Sequence, residues 1–223
     1  MIVRLGMAPR AATLDYEGFQ AHWKSEHAGL AGAIEGVRGY VQNHAILRDG
    51  RPLFPYAGFD ACSEISFDSL EAMDAGFASD YYRSQVVADE KVLVDKTRFL
   101  MLLSERRVLD DRPAPEGAVK LLTFLPVDPR STREALFELL GGAYRERVAA
   151  SGVALRHEQL LEIPGAHEGR IPAVFAAVDL LWVRTADEAV TLASGDLGHE
   201  LGYLLAGTTF GGQRVVAEPV TVV

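Results

Sequence analysis

"VLDDRPAPEGA", residues Val108 to Ala118, divides this chain in two. The run is rich in Pro, Asp and Ala and reads as a linker. It separates two blocks of similar length, residues 1–107 and 119–223. If the two blocks follow one pattern, the fold is a tandem repeat, and the order of elements on each side decides that.

Block one opens with MIVRLGM, a strand. A long helix is expected from about Asp15 to about Ala33. YVQNHAIL and ACSEISF are strand-like. Helix returns from Ser69 to about Val94, broken near Ser79 and Asp80, and RFLMLLSERRVL closes the block as a strand. Block two runs the same way. VKLLTFLPV is a strand and STREALFELLGGAYRERVAA a helix, with Ser131 as N-cap and Glu134 three residues on, the capping-box spacing. VALRHEQLLEI and AVFAAVDLLWV are strands, TADEAVTLAS starts a helix, and QRVVAEPVTVV is the last strand. Each block is thus β-α-β-β-α-β, the ferredoxin-like unit. A four-stranded sheet with helices on one face must cover the other. We therefore expect an α+β protein whose two tandem units pack as an intrachain barrel. On that reading residues 1–107 expressed alone self-associate or aggregate. A single irregular α+β domain is the alternative.

The bulk numbers narrow the function. Apolar residues make up 48% of 223, which excludes disorder. A net charge of −9 argues against nucleic acid or an anionic membrane as the main partner. The one cysteine, Cys62, cannot form an intramolecular disulfide, and the first residues hold no long apolar stretch. A cytoplasmic protein is expected, either a monomer with an intrachain pseudo-dimer or a homodimer, acting on a small apolar molecule.

The densest chemistry lies in FQAHWKSEHAGLAGAIEGVRGYVQNHAIL, residues 19–47. Phe19, Trp23, His27, Leu30 and Ile34 recur at helical spacing, so His27 is the one polar group on an apolar stripe. His22 lies about 100° round from Trp23 and reads as a rim residue beside Glu26. His22 and His27 are five apart, which points them to different faces of a regular helix, so no metal site is expected. In the strand that follows, Tyr40, Gln42 and His44 share one side. At a sheet edge they would face solvent; turned toward the helix they would line a pocket with Phe19 and Trp23. There an imidazole suits proton transfer and a phenol suits donation to a developing oxyanion. A hydrogen-bonded core histidine is the competing reading for His27.

These residues resemble a known family. Phe19, His22, Trp23, His27 and Ala28, then GVRGYVQN from Gly36, are similar to the EthD family. So is AGFASDYYRSQVVADEKVLVDKTRF, with its serine-centred break and its acidic run ending in Asp95. The resemblance spans about residues 2–107. It implies a ferredoxin-like unit of the dimeric α+β barrel type, with block two as the partner half in cis. Relatives include a muconolactone isomerase and dehydratases or decarboxylases of aromatic polyketides that need neither metal nor cofactor. By the same resemblance the helix histidine and strand tyrosine of the isomerase carry over to His27 and Tyr40. His44 rests on the face argument alone.

Catalytic residues are therefore expected at His27, Tyr40 and His44, and ligand contacts at Phe19, Trp23 and Gln42. The expected activity is cofactor-free acid–base chemistry, isomerase- or lyase-like, on a lactone, aromatic or polyketide-type carbonyl compound. The alternatives are a non-catalytic small-molecule binder and a haem protein with an axial histidine. Block two lacks the His-Trp pair and is expected to close the barrel, with His157 near the place of His44. Asp60, Glu64, Asp89, Glu90 and Asp95 read mostly as solvated surface. Cys62 and Trp182 read as core. No dinucleotide loop, P-loop or nucleophile elbow occurs.

Overall fold

The computed structural model describes residues 1–54 and 56–223, which cluster into two units. The first comprises Met1–Glu105, Ile163–Ala173 and Pro219–Val223, and the second Arg106–Glu162 and Val174–Glu218. The last strand of block one runs on to Asp110, so strand occupies the first residues of the 108–118 stretch.

In the first unit the order is β1 (Ile2–Ala8), α1 (16–32), β2 (Gly39–Ala45), β3 (Ala61–Phe67), α2 (Leu70–Ala78), α3 (82–93) and β4 (Leu100–Asp110). Asp15 starts α1, its carboxylate accepting from the Gly18 amide at 2.7 Å, as an N-cap should. The sheet order is β4-β1-β3-β2, all antiparallel. The outer side of β2 is not left to solvent. The Tyr40 amide donates to Val223 O at 3.0 Å, and the Val222 amide donates back to Tyr40 O at 2.8 Å. Ile2, Ile34, Tyr40, Ile65, Phe67 and Leu103 fill the core on the helix side.

The second unit holds β5 (Val119–Leu125), α4 (133–151), β6 (Arg156–Glu162), β7 (Ala177–Val183), α5 (Ala186–Ser194), α6 (Asp196–Leu205) and β8 (Gln213–Thr221). Its sheet order is β8-β5-β7-β6, the same as in the first unit. Every residue of β5 and β7 is buried, which their near-continuous apolar sequence predicts. The N-cap of α4 is Thr132 rather than Ser131; Thr132 Oγ1 accepts from the Ala135 amide at 3.2 Å. Over the eight strands the order is β1-β3-β2-β8-β5-β7-β6-β4, a closed barrel, so the chain has the expected α+β barrel architecture.

Candidate active site

The helix α1 is not regular. Between Tyr16–His22 and Ala28–Gly32 it contains a π turn, Trp23–His27. In an α-helix, residues five apart differ by about 140° in direction. A π turn bonds i to i+5 and brings such residues back into line. That change overturns the expectation that His22 and His27 diverge, because both meet the same carboxylate. His22 Nε2 lies 2.6 Å from Asp89 Oδ1, and His27 Nδ1 lies 2.8 Å from Asp89 Oδ2.

Asp89 is therefore not solvated surface, and its side chain is only 10% exposed. It stands on α3, where Glu90, the other acid of the run ADEK, is largely buried as well, so the surface reading fails for both. Glu64 departs from the surface reading too. It is buried and accepts from Asn43 Nδ2 at 2.8 Å. Asp60 pairs with Arg10, and Asp95 caps the short turn Lys96–Arg98 and pairs with Arg98.

With Nδ1 committed to Asp89, the free lone pair of His27 is on Nε2, which has no hydrogen-bond partner among the described residues. Burial holds the His27 pKa below the ordinary histidine value, and the Asp89 hydrogen bond opposes this in part. The ring borders a cavity of about 50 Å³, walled in part by Trp23, Tyr40, Ile65, Phe77 and Phe99.

The strand β2 turns Tyr40, Gln42 and His44 toward the helix, which settles the question of faces. Gln42 Nε2 donates to Trp23 O at 2.7 Å and to Tyr40 Oη at 2.9 Å. Gln42 Oε1 accepts from His44 Nε2 at 2.9 Å. The Tyr40 hydroxyl thus receives one hydrogen bond and keeps its own proton to give. Burial pushes its pKa up to about 12, so it remains a phenol and a donor at neutral pH.

The six expected site residues split into two sets. His27, Tyr40 and Trp23 wall the cavity. Gln42, His44 and Phe19 stand behind them. His44 stacks on Trp23 with ring centroids 4.5 Å apart, and Phe19 lies 5.5 Å from Trp23 on the same measure. Burial first, then Lys24, lowers the His44 pKa to about 4, so it is a neutral donor to Gln42.

A charged end of the cavity escaped the sequence reading. Arg4, Tyr82, Glu90 and Lys96 all border it. Tyr82 Oη donates to Glu90 Oε2 at 3.1 Å, and Lys96 Nζ lies 2.7 Å from Glu90 Oε1. Arg4 sits on β1, far in sequence from Tyr82, Glu90 and Lys96 on α3 and the turn after it, so no local pattern joins them.

The second unit repeats the framework with other chemistry. Gln42 pairs in register with Ser63, and Gln159 pairs in register with Asp179. Gln159 Nε2 donates to Leu140 O at 3.1 Å, at the head of the wide turn Leu140–Tyr144, as Gln42 does to Trp23 O. By this register His157 occupies the place of Tyr40, not of His44. Asp179 accepts from Tyr144 Oη at 2.9 Å and pairs with His157 Nε2 at 2.7 Å.

Two cofactor questions follow. His22, Glu26 and Asp89 bring ligand atoms within 4.8 Å of one another, but both Asp89 oxygens already serve histidines. A haem does not fit beside His27, because a cavity of about 50 Å³ has room for only a few heavy atoms.

Residues 11–97 match the EthD domain. No curated protein matches the chain. Among solved structures, an anthrone oxidase-like protein superposes with a TM-score of 0.68 at 10% identity, over 99% of this chain and 92% of the other. Chlorite dismutase from Candidatus Nitrospira defluvii, in complex with imidazole, gives 0.55 at 8% identity, over 99% and 91%. At these identities the likeness is one of fold, and it agrees with the barrel described above. No helix among the described residues is long and apolar enough to cross a membrane.

Proposed function

We propose that the first unit, which carries the EthD match, is a catalytic site for proton transfer on a small apolar carbonyl compound. The observation that carries this reading is the Asp89–His27 pair. It leaves one unbonded imidazole nitrogen in a ring that walls a cavity, with a phenol on the same wall. His27 Nε2 takes a proton from the carbon next to the carbonyl, and Asp89 stabilises the imidazolium that forms. Tyr40 hydrogen-bonds the carbonyl oxygen as charge develops there and keeps its proton when the carbonyl re-forms. The imidazolium returns its proton at a second position, which completes an isomerisation, or to a departing hydroxide, which completes an elimination. No step of this proton transfer calls on a group from outside the chain. His22 and Gln42 are positioning residues, one holding Asp89 and the other holding Tyr40.

Exchange at carbon tests this directly. The protein is incubated in D2O with a panel of enolisable lactones and cyclic ketones, and proton NMR follows loss of the α-proton signal. The expected result is catalysed exchange on at least one compound, cut by both His27→Ala and Tyr40→Phe. Exchange that survives both substitutions unchanged contradicts the proposal. Binding without exchange on any compound makes the site a carrier pocket.

A further inference from the structure

The proton-transfer reading leaves Arg4 without a task. Arg4 lies in the middle of β1, paired with Ile65 on one side and Leu103 on the other. Its guanidinium lies against two aromatic rings, 4.3 Å from the Phe77 centroid and 5.1 Å from that of Phe99. Among the described residues it makes no hydrogen bond and no ion pair. The nearby carboxylate, Glu90, is already held by Tyr82 and Lys96. A guanidinium carries five donors in a fixed fork and is costly to shelter unpaired. Burial lowers its pKa below the usual arginine value, as expected of a cation that has lost water without gaining a partner.

Its position is specific. Arg4 walls the same cavity as His27 and Tyr40. It lies alongside Gly6, where an added Cβ would come within 3.0 Å of Arg4 Nη1. The missing side chain at residue 6 thus leaves room for the guanidinium to lie along the strand. Contact with the two rings limits its movement, which helps preorganise the fork for a planar two-oxygen acceptor.

We infer that Arg4 is the ligand-anchoring residue of the cavity and that the molecule bound there carries an anionic oxygen pair, a carboxylate or an enolate conjugated to a second oxygen. This deepens the proton-transfer reading and rests on it for the cavity's role. The ligand class becomes a small unsaturated or carbonyl-bearing acid, its charged end on Arg4 and its apolar body against Phe77, Phe99 and Ile65. A cavity of about 50 Å³ holds on the order of four waters at roughly 10–15 Å³ each, so the enclosed fragment has only a few heavy atoms.

Crotonate and crotonamide are planar, nearly isosteric and differ in charge. Each is titrated into the full chain, with affinity read by NMR chemical-shift changes. Crotonate should bind at least about tenfold tighter, the range expected of a charge-assisted bidentate contact. Arg4→Met should abolish that preference, with crotonate losing more affinity than crotonamide. If Arg4→Met does not fold, Gly6→Ala, which crowds the guanidinium without removing it, should weaken crotonate more than crotonamide. Equal binding of both compounds by wild type, or a preference that survives these substitutions, overturns the assignment of Arg4 while leaving the proton-transfer reading to the exchange experiment. Failure of both compounds to bind overturns the anchoring assignment and takes the cavity's role as a ligand site with it.

Discussion

The two units build one frame and use it in opposite ways. In each, a strand glutamine reaches up to the carbonyl at the head of a wide helical turn, Gln42 to Trp23 and Gln159 to Leu140. What surrounds that glutamine differs. In the second unit the residue across the strands is Asp179, fully buried, and Tyr144, His157 and Gln159 all close on it. Each polar group is answered by another, which makes a rigid buried network. In the first unit the residue across is Ser63, too short to fill the space. The last residue of the turn is His27 in place of Tyr144, and it leans on Asp89 from α3 instead. The His27 Nε2 lone pair, the Tyr40 proton and the Arg4 fork are left unanswered around a cavity. Satisfied polar groups support a fold; unanswered ones that line a cavity await a ligand.

The comparison breaks most visibly at Asp179. Asp179→Ala leaves a buried histidine and a buried tyrosine without their acceptor and should cost about 3–5 kcal/mol in urea unfolding. Exchange activity per folded molecule should stay near wild type. His27→Ala should behave in the opposite way, losing about 10² to 10⁴-fold in exchange rate with a much smaller change in unfolding midpoint. Tyr40→Phe removes the oxyanion donor and should cost roughly 10²-fold in rate.

The element order of both units could be read from periodicity, because strands and helices bury faces that repeat at 2 and 3.6 residues. The helix placement of His27 and the shared side of Tyr40, Gln42 and His44 were legible for the same reason. Three things were not. A π turn adds a residue to a turn without altering the apolar stripe through Phe19 and Trp23, so the convergence of His22 and His27 left no periodic mark. Asp89 lies 62 residues from His27, in an acidic run whose composition alone reads as solvated surface. Arg4 sits in MIVRLGM as a lone charge in a buried strand, a conflict between residue type and setting that can flag function. His44 shares the strand face of Tyr40 but not its depth, which a strand face does not show; it stacks on Trp23, and Trp23 walls the cavity.

Smaller effects sharpen the picture. Asp89→Asn removes the charge that stabilises the imidazolium and should slow exchange about 10- to 100-fold, the worth of a hydrogen bond to a charged group. Because Asp89 raises the His27 pKa, the substitution should also move the acid limb of the pH–rate profile to lower pH. The smallest effect is at His44, whose folded pKa of about 4 lies below the ordinary 6.5. Between those values the unfolded chain binds more protons than the folded one, so its contribution is present above pH 6.5 and lost as pH falls toward 4. His44→Gln should flatten the stability profile across that window in urea titrations, with little change in rate at pH 7.

The central claim is that the polar groups of the first unit are open to a ligand and those of the second are closed on themselves. Nitrogen NMR of histidine rings labelled with ¹⁵N tests it most directly, with crotonate added at neutral pH. The account predicts that free His27 shows a protonated Nδ1 and a bare Nε2, that its Nε2 resonance moves on titration, and that His157 stays fixed. A His157 resonance that shifts while His27 remains still would contradict it.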